Sequence, residues 1–288
     1  MRSDQTPCPS RRIFVVGLCF GRAHCDDMIK VAQDFCVRNF QSKHTIEVIV
    51  DNKLDDGSIE VSGGKYVIAG DNSCNEFSGW EKGLRYIIQN FSPQPYDVCI
   101  MINDTIYRRN YGEGGERYFD DFKIELGPEG WPEQWAAGYL DDFPAPAIIN
   151  GIEFGTWIRS SFVVFSWSCL SVITPLVFPV TEDILFAQDV SSGLWAEEAP
   201  LSENWKAYMS SWLFGEKNPR FSEYEASWYG SEPLNADNQL VFRKKALCIM
   251  SEHYLTARLR KAHITFFDFN TYPKRPDRHM VSFRAKDD

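Results

Sequence analysis

The residues Val98, Cys99, Ile100, Met101 and Ile102 form an unbroken apolar run that stops at Asn103-Asp104-Thr105. A short run with no polar alternation suits a strand covered on both faces, and so an interior strand of a sheet with helices on either side. Just upstream, Phe77, Trp80, Leu84, Ile87, Ile88 and Phe91 recur at spacings of three and four, the inner face of an amphipathic helix. Asp71, Asn72 and Ser73 are turn and cap formers at its start, and Pro93 and Pro95 stop it. Gly79 and Gly83 fall inside this helix, where each costs about 1 kcal/mol relative to Ala. Their presence points to close approach of the backbone to a neighbour or a ligand. A polar triplet at the C-terminal end of a buried strand is where open α/β sheets place ligands.

The rest of the first half alternates in the same way. Residues 13–18 are an apolar β-type run, and Asp26-Asp27 opens a helix whose inner face is Ile29, Ala32, Phe35, Cys36 and Phe40. Residues 45–50 make a strand ending in Asp51-Asn52, and residues 65–69 another ending in Gly70-Asp71-Asn72. Strands alternating with helices predict a single α/β domain, a mostly parallel Rossmann-like sheet flanked by helices, with three strands ending in Asp or Asn at one edge. Residues 108–143, rich in Gly and Pro, read as a long loop. Residues 147–152 and 162–165 read as strands, 204–214 as a helix, 215–233 as irregular and 238–259 as the longest helix. Beyond Ala262 only residues 264–269 read as ordered. This divides the chain into a polar segment, 1–12, a domain, 13–262, with halves at 13–105 and 106–262, and a basic aromatic extension, 263–288.

At 288 residues with 44% hydrophobic and 15% aromatic content the chain has ample core for one domain. Its formal net charge of -10 argues against nucleic acid, whose binding rests on phosphate neutralisation. The eight cysteines include no C-x-x-C and no zinc spacing with histidine. Cys36, Cys99, Cys169 and Cys248 lie in apolar segments as small hydrophobes, which fits a reducing, cytoplasmic setting. The first twelve residues are too polar for a secretion signal. Residues 160–181 lack charge and are long enough to span a bilayer, but Pro175, Pro179 and the hydroxyls among them suit a buried strand and helix better. Gly63-Gly64-Lys65 fails the spacing of a phosphate-binding loop.

The block Asn72-Ser73-x-x-Glu76-Phe77-Ser78-Gly79-Trp80-x-x-Gly83-Leu84, followed by the apolar strand and Asn103-Asp104-Thr105, resembles GT-A-type glycosyltransferases of bacterial surface-polysaccharide biosynthesis, the O-antigen, capsule and rhamnan-synthesis-like enzymes. The resemblance is carried by residues 13–105 and more thinly by the chain to about residue 260. It implies a GT-A fold and transfer of a sugar from a nucleotide-diphosphate donor to a growing surface glycan, with inversion. The Asn72–Leu84 block would then lie against the sugar nucleotide. Asn103 and Asp104 would take the place of the Asp-x-Asp motif that holds a divalent cation (Mn or Mg) and the diphosphate, here with one carboxylate, Asp104.

Each candidate also has a plainer reading. Asp104 suits charge stabilisation at a leaving diphosphate, but Asn-Asp is also common turn chemistry. Asp51 and Asn72 suit hydrogen bonding to a base or ribose, or turns. Glu76 suits sugar or ribose hydroxyls, or the positive end of its helix. Gly79 and Trp80 suit a donor pocket, or core packing. Glu252 sits in a helix that is apolar on two faces, where burial raises a carboxylate's pKa toward that of a general base; an ion pair is the alternative. Asp183, in Thr181-Glu182-Asp183, is the rival base. A nucleotidyltransferase on a similar sheet would want a basic glycine-rich loop after the first strand, where only Cys19-Phe20-Gly21-Arg22 stands. A non-catalytic glycan-binding or scaffold relative is the third reading. The acceptors implied are lipid-linked. The bases from Arg258 to Lys286, interleaved with Phe266, Phe267, Phe269, Tyr272 and Phe283, then predict peripheral contact with the inner leaflet.

Overall fold

The computed structural model describes residues 11–42, 44–55, 57–106, 132–216 and 228–269. Residues 108–131 of the expected long loop, and the bases and rings beyond residue 270, lie outside the described residues.

Eight strands form one mixed sheet: β1 (Ile13–Cys19), β2 (Ile46–Asp51), β3 (Ile59–Ser62), β4 (Lys65–Ala69), β5 (Val98–Asn103), β6 (Trp135–Ile149), β7 (Ile152–Ser166) and β8 (Thr265–Asp268). Their order is β3-β4-β2-β1-β5-β7-β6-β8. The β4-β2-β1-β5 block is parallel, β7 runs antiparallel to β5 and to β6, and β8 is parallel to β6. The long helices are α1 (Cys25–Phe40), α2 (Asn75–Phe91), α5 (Glu203–Phe214) and α6 (Gln239–Lys261), with two single turns between, α3 (Leu170–Ile173) and α4 (Glu182–Leu185).

The parallel block follows from its residues. β1 and β5 are buried at every position because α1 covers one face and α2 the other. Phe14, Val16 and Leu18 pack with α2, while Ile13 and Val15 pack with α1. The glycines of α2 bring it close. A Cβ on Gly79 would stand 2.2 Å from Leu18 Cδ1, and one on Gly83 would stand 2.4 Å from Val16 Cγ1. They serve helix–sheet contact. Asp97, fully buried, ties the start of β1 to that of β5 by accepting from Arg12 N at 3.0 Å and Arg12 Nη2 at 2.7 Å.

Several expectations are corrected. Residues 135–143 are strand, the first arm of a hairpin with β7 that turns at Asn150-Gly151, both at positive φ. Asn-Gly is the residue pair such a turn demands. The β3–β4 hairpin turns the same way through Gly63 and Gly64, both at positive φ. Cys74 occupies the N-cap of α2, and Asp71 instead accepts from Ser73 N at 2.9 Å in a local turn. Ile88 is half exposed. Cys19 and Cys25 form a disulfide, while Cys36, Cys99, Cys169 and Cys248 are buried free thiols. Residues 160–181 divide between the end of β7, a 3-10 turn and α3, and no helix among the described residues is long and apolar enough to cross a membrane. The expected membrane-facing aromatics of the chain's end are partly structural. Phe269 is buried against Phe35 and Phe162, Phe266 packs against the core, and β8 completes the sheet beside β6.

Candidate functional site

In the parallel block the chain leaves β1 through α1 to reach β2 on one side, and returns through α2 to β5 on the other. The C-terminal ends of β1 and β5 therefore lie where the strand order reverses, the general ligand position of open α/β sheets. A cavity of about 770 Å³ opens there. Leu18, Cys19 and Phe20 line it from the end of β1, and Asn103, Asp104 and Thr105 from the end of β5. Asn52, Asn72, Asn75 and Glu76 line it from the neighbouring strand end and the start of α2.

The opposite wall comes from the hairpin and the end of the chain. Gly138 pairs with Val163 but Leu140 pairs with Ile158, so β7 bulges between, around Arg159, Ser160 and Ser161. Arg159, Ser160 and Ser161 all line the cavity. Bulges re-aim side chains in this way, and they free backbone N–H groups that need partners. Here α6 supplies them. Thr256 Oγ1 accepts from Ile158 N at 2.9 Å, and Glu252, one turn earlier, accepts from Ser160 N. Ser160 Oγ donates to Glu76 Oε1 at 3.2 Å, so a single serine joins the carboxylate of α2 to that of α6. Arg159 forms a two-pronged pair with Asp141 across the hairpin, at 2.5 and 2.7 Å.

The electrostatics follow from this packing. Burial pushes the Glu252 carboxyl up to about 6; the hydrogen bonds from Ser160 and the charge of Lys245 oppose the rise, and the charge of Glu76 adds to it. Burial holds the His253 imidazole down to about 3, and its Nδ1 accepts from Trp205 Nε1 at 3.0 Å. His253 is thus neutral and engaged. Asp104 Oδ2 accepts from Phe20 N at 3.3 Å, which holds the β5 tip against the β1 tip. Asn103 Oδ1 accepts from Thr105 N at 3.2 Å and from its hydroxyl at 2.5 Å, shaping the turn.

Of the residues singled out from sequence, Asn72, Glu76, Asn103, Asp104 and Glu252 meet in this one cavity. Four do not reach it. Asp51 is buried and accepts from Gly21 N and Lys53 N, each at 2.9 Å, so it folds the β1 loop rather than meeting a ligand. Gly79 faces Leu18, and Trp80 is fully buried with its Nε1 donating to Ile102 O at 3.2 Å. Asp183 lies exposed on α4 and is not among the lining residues. Arg159, Ser160 and Asp141 escaped sequence reasoning because a bulge has no periodic signature. Among the described residues no group of three or more His, Cys, Asp or Glu gathers to hold a metal ion.

Comparison with protein-family models, with curated proteins and with solved structures finds no match for this chain.

Proposed function

We propose that the protein is a glycosyltransferase, moving a sugar from a nucleotide-diphosphate donor to a glycan hydroxyl. The observation that carries the reading is the meeting, in one crevice, of the β5-tip carboxylate Asp104 with a recessed carboxylate of raised proton affinity, Glu252. The cavity's volume is that of a small-molecule site. The donor lies at the strand ends, with Asn52, Asn72 and Asn75 offering hydrogen bonds to its base and ribose and Glu76 to a sugar hydroxyl.

The chemistry is a single displacement with inversion. An acceptor hydroxyl oxygen attacks the anomeric carbon, Glu252 takes its proton, and the bond to the diphosphate oxygen breaks with its electron pair leaving on the nucleotide. A general base works best with a pKa near the operating pH, and burial has moved Glu252 in that direction. Asp104 and a diphosphate are both anionic. One carboxylate suits the mode in which Mg²⁺ is held by one or two carboxylates together with substrate phosphates. Such a cation would neutralise charge on the leaving diphosphate. The setting that fits is the inner face of the plasma membrane, where lipid-linked acceptors are elongated.

The nucleotidyltransferase alternative is disfavoured by Arg22, which pairs with Glu60 at 2.6 Å and does not line the cavity. Incubation with a panel of sugar nucleotides and divalent cation separates the readings. The expected result is slow release of nucleoside diphosphate from one donor. Pyrophosphate exchange would indicate nucleotidyl transfer, and neither turnover nor binding would leave a scaffold.

A further inference from the structure

Part of the cavity lining is not used by the donor reading. Beyond Glu252, α6 runs along the cavity wall through Ile249, Lys245 and Val241, three or four residues apart and so on one helix face. Lys245 precedes Glu252 by seven residues, about 10 Å along the helix axis. At that end Trp212, from α5, and Trp228 lie nearly parallel, with ring centroids 6.3 Å apart and planes 24° apart. Both are only partly buried. The Lys245 ammonium stands over the two rings, 5.9 and 6.0 Å from their centroids. Lys244 is exposed beside it, and Tyr229 is almost wholly exposed at the rim. Neither lysine has a carboxylate salt-bridge partner among the described residues. Elsewhere the cavity is lined by acids, among them Glu76, Asp104 and Glu252.

Partly exposed tryptophans in a cavity leave apolar ring surface that water wets poorly, and a flat C–H face of a pyranose covers such a surface well. Ammonium groups beside it that have no carboxylate partner among the described residues favour an anion. We propose that this part of the cavity is the acceptor subsite and takes a pyranose ring bearing a carboxylate or phosphate, stacked on Trp212 and Trp228 with its anionic group at Lys244 and Lys245. The acceptor role rests on the glycosyltransferase reading; the affinity for an anionic saccharide does not. The distance from Lys245 to Glu252 means that the ring on the shelf is not the one whose hydroxyl reacts. It belongs to the next part of the acceptor chain and sets its register. The enzyme therefore discriminates acceptors by the charge of an inner sugar.

The test is saturation-transfer difference NMR titration of the full chain with three probes: methyl glucoside, methyl glucuronide and methyl glucoside 6-phosphate. Aromatic saturation should reach the ring C–H protons of the two charged probes and favour them over the neutral one. The carboxylate and phosphate arms show which anion is preferred. Trp212→Ala and Trp228→Ala should each weaken the charged probes by about ten-fold, the scale of losing one aromatic anchor. Lys245→Met keeps the helix and should erase the preference for charge. Circular dichroism melts accompany each variant. The inference is overturned if the wild type binds none of the probes, if the neutral probe is preferred, or if Lys245→Met keeps the full preference. Titration with UDP, GDP and dTDP in the same samples separates the two claims. Nucleotide binding lost in the tryptophan variants with saccharide binding intact would make the shelf a nucleobase wall and end the proposal. Saccharides bound without any nucleotide would overturn the donor reading and leave the shelf standing.

Discussion

In the proposed mechanism Glu252 holds two tasks at once, and they respond differently to one substitution. Its carboxylate satisfies the free N–H of Ser160 in the β7 bulge, a structural task an amide oxygen also performs. It is also the group whose proton affinity burial has raised, and only a carboxylate can take a proton from a sugar hydroxyl. The folded pKa of about 6 stands above the ordinary 4.5, so the fold prefers the protonated form. The stabilisation is fully present below pH 4.5 and is lost as pH rises through about 6. The difference amounts to about 2 kcal/mol. Glu252→Gln should therefore match the wild type in urea denaturation at pH 4 and exceed it by up to about 2 kcal/mol at pH 7.5. A Gln variant with the same relative stability at both pH values would mean that the carboxylate is not held in a desolvated place. At this scale the sequence pointed to residues that line the cavity where a residue's type and its strand-end position coincide, as at Asn72, Asn103 and Asp104. Asp51 and Trp80 lie outside that lining. Aspartate at a strand end also folds loops, and tryptophan on a helix face is as much a core residue as a pocket wall.

At the scale of elements, the alternation of β1, α1, β2, β4, α2 and β5 could be read directly, because each strand is predominantly apolar and each helix keeps its period. The β6–β7 hairpin could not. Its first arm holds Gly138, Pro144 and Pro146, which count as loop residues in any window, although they lie where the ladder is irregular. The Asn150-Gly151 turn was the available signal. The glycines of α2 were conspicuous, but their partner is β1 and not a ligand. Alanine at Gly83 would meet Val16 Cγ1, a β-branched side chain with little room to rotate, on a fully buried strand. Overpacking of this kind costs about 1–3 kcal/mol, more than the roughly 1 kcal/mol of helix propensity recovered. Gly83→Ala should lower the melting temperature. Gly79→Ala should do so less, since Leu18 can move, but Leu18 lines the cavity and its displacement should weaken ligand binding. Equal or higher melting temperature for Gly83→Ala would show that α2 and β1 are not packed at backbone distance.

Across the whole molecule, the cavity is assembled from residues as far apart as Leu18 and His253, and the sheet closes only when β8 pairs with β6 after the last helix. The first half supplies the strand ends and the second half supplies Glu252, Ser160 and the aromatic shelf. That division of labour lets binding and chemistry be separated by substitution. The direct measurement is donor affinity by calorimetry beside nucleoside-diphosphate release, for the wild type, Asp104→Ala and Glu252→Gln, with melting curves as controls. Asp104→Ala should lose donor affinity and turnover while its melting temperature stays near that of the wild type. Glu252→Gln should bind donor as the wild type does and turn over slower by roughly 10²–10⁴, the range for loss of a general base. Full activity in Asp104→Ala, or wild-type turnover in Glu252→Gln, would contradict the proposed mechanism.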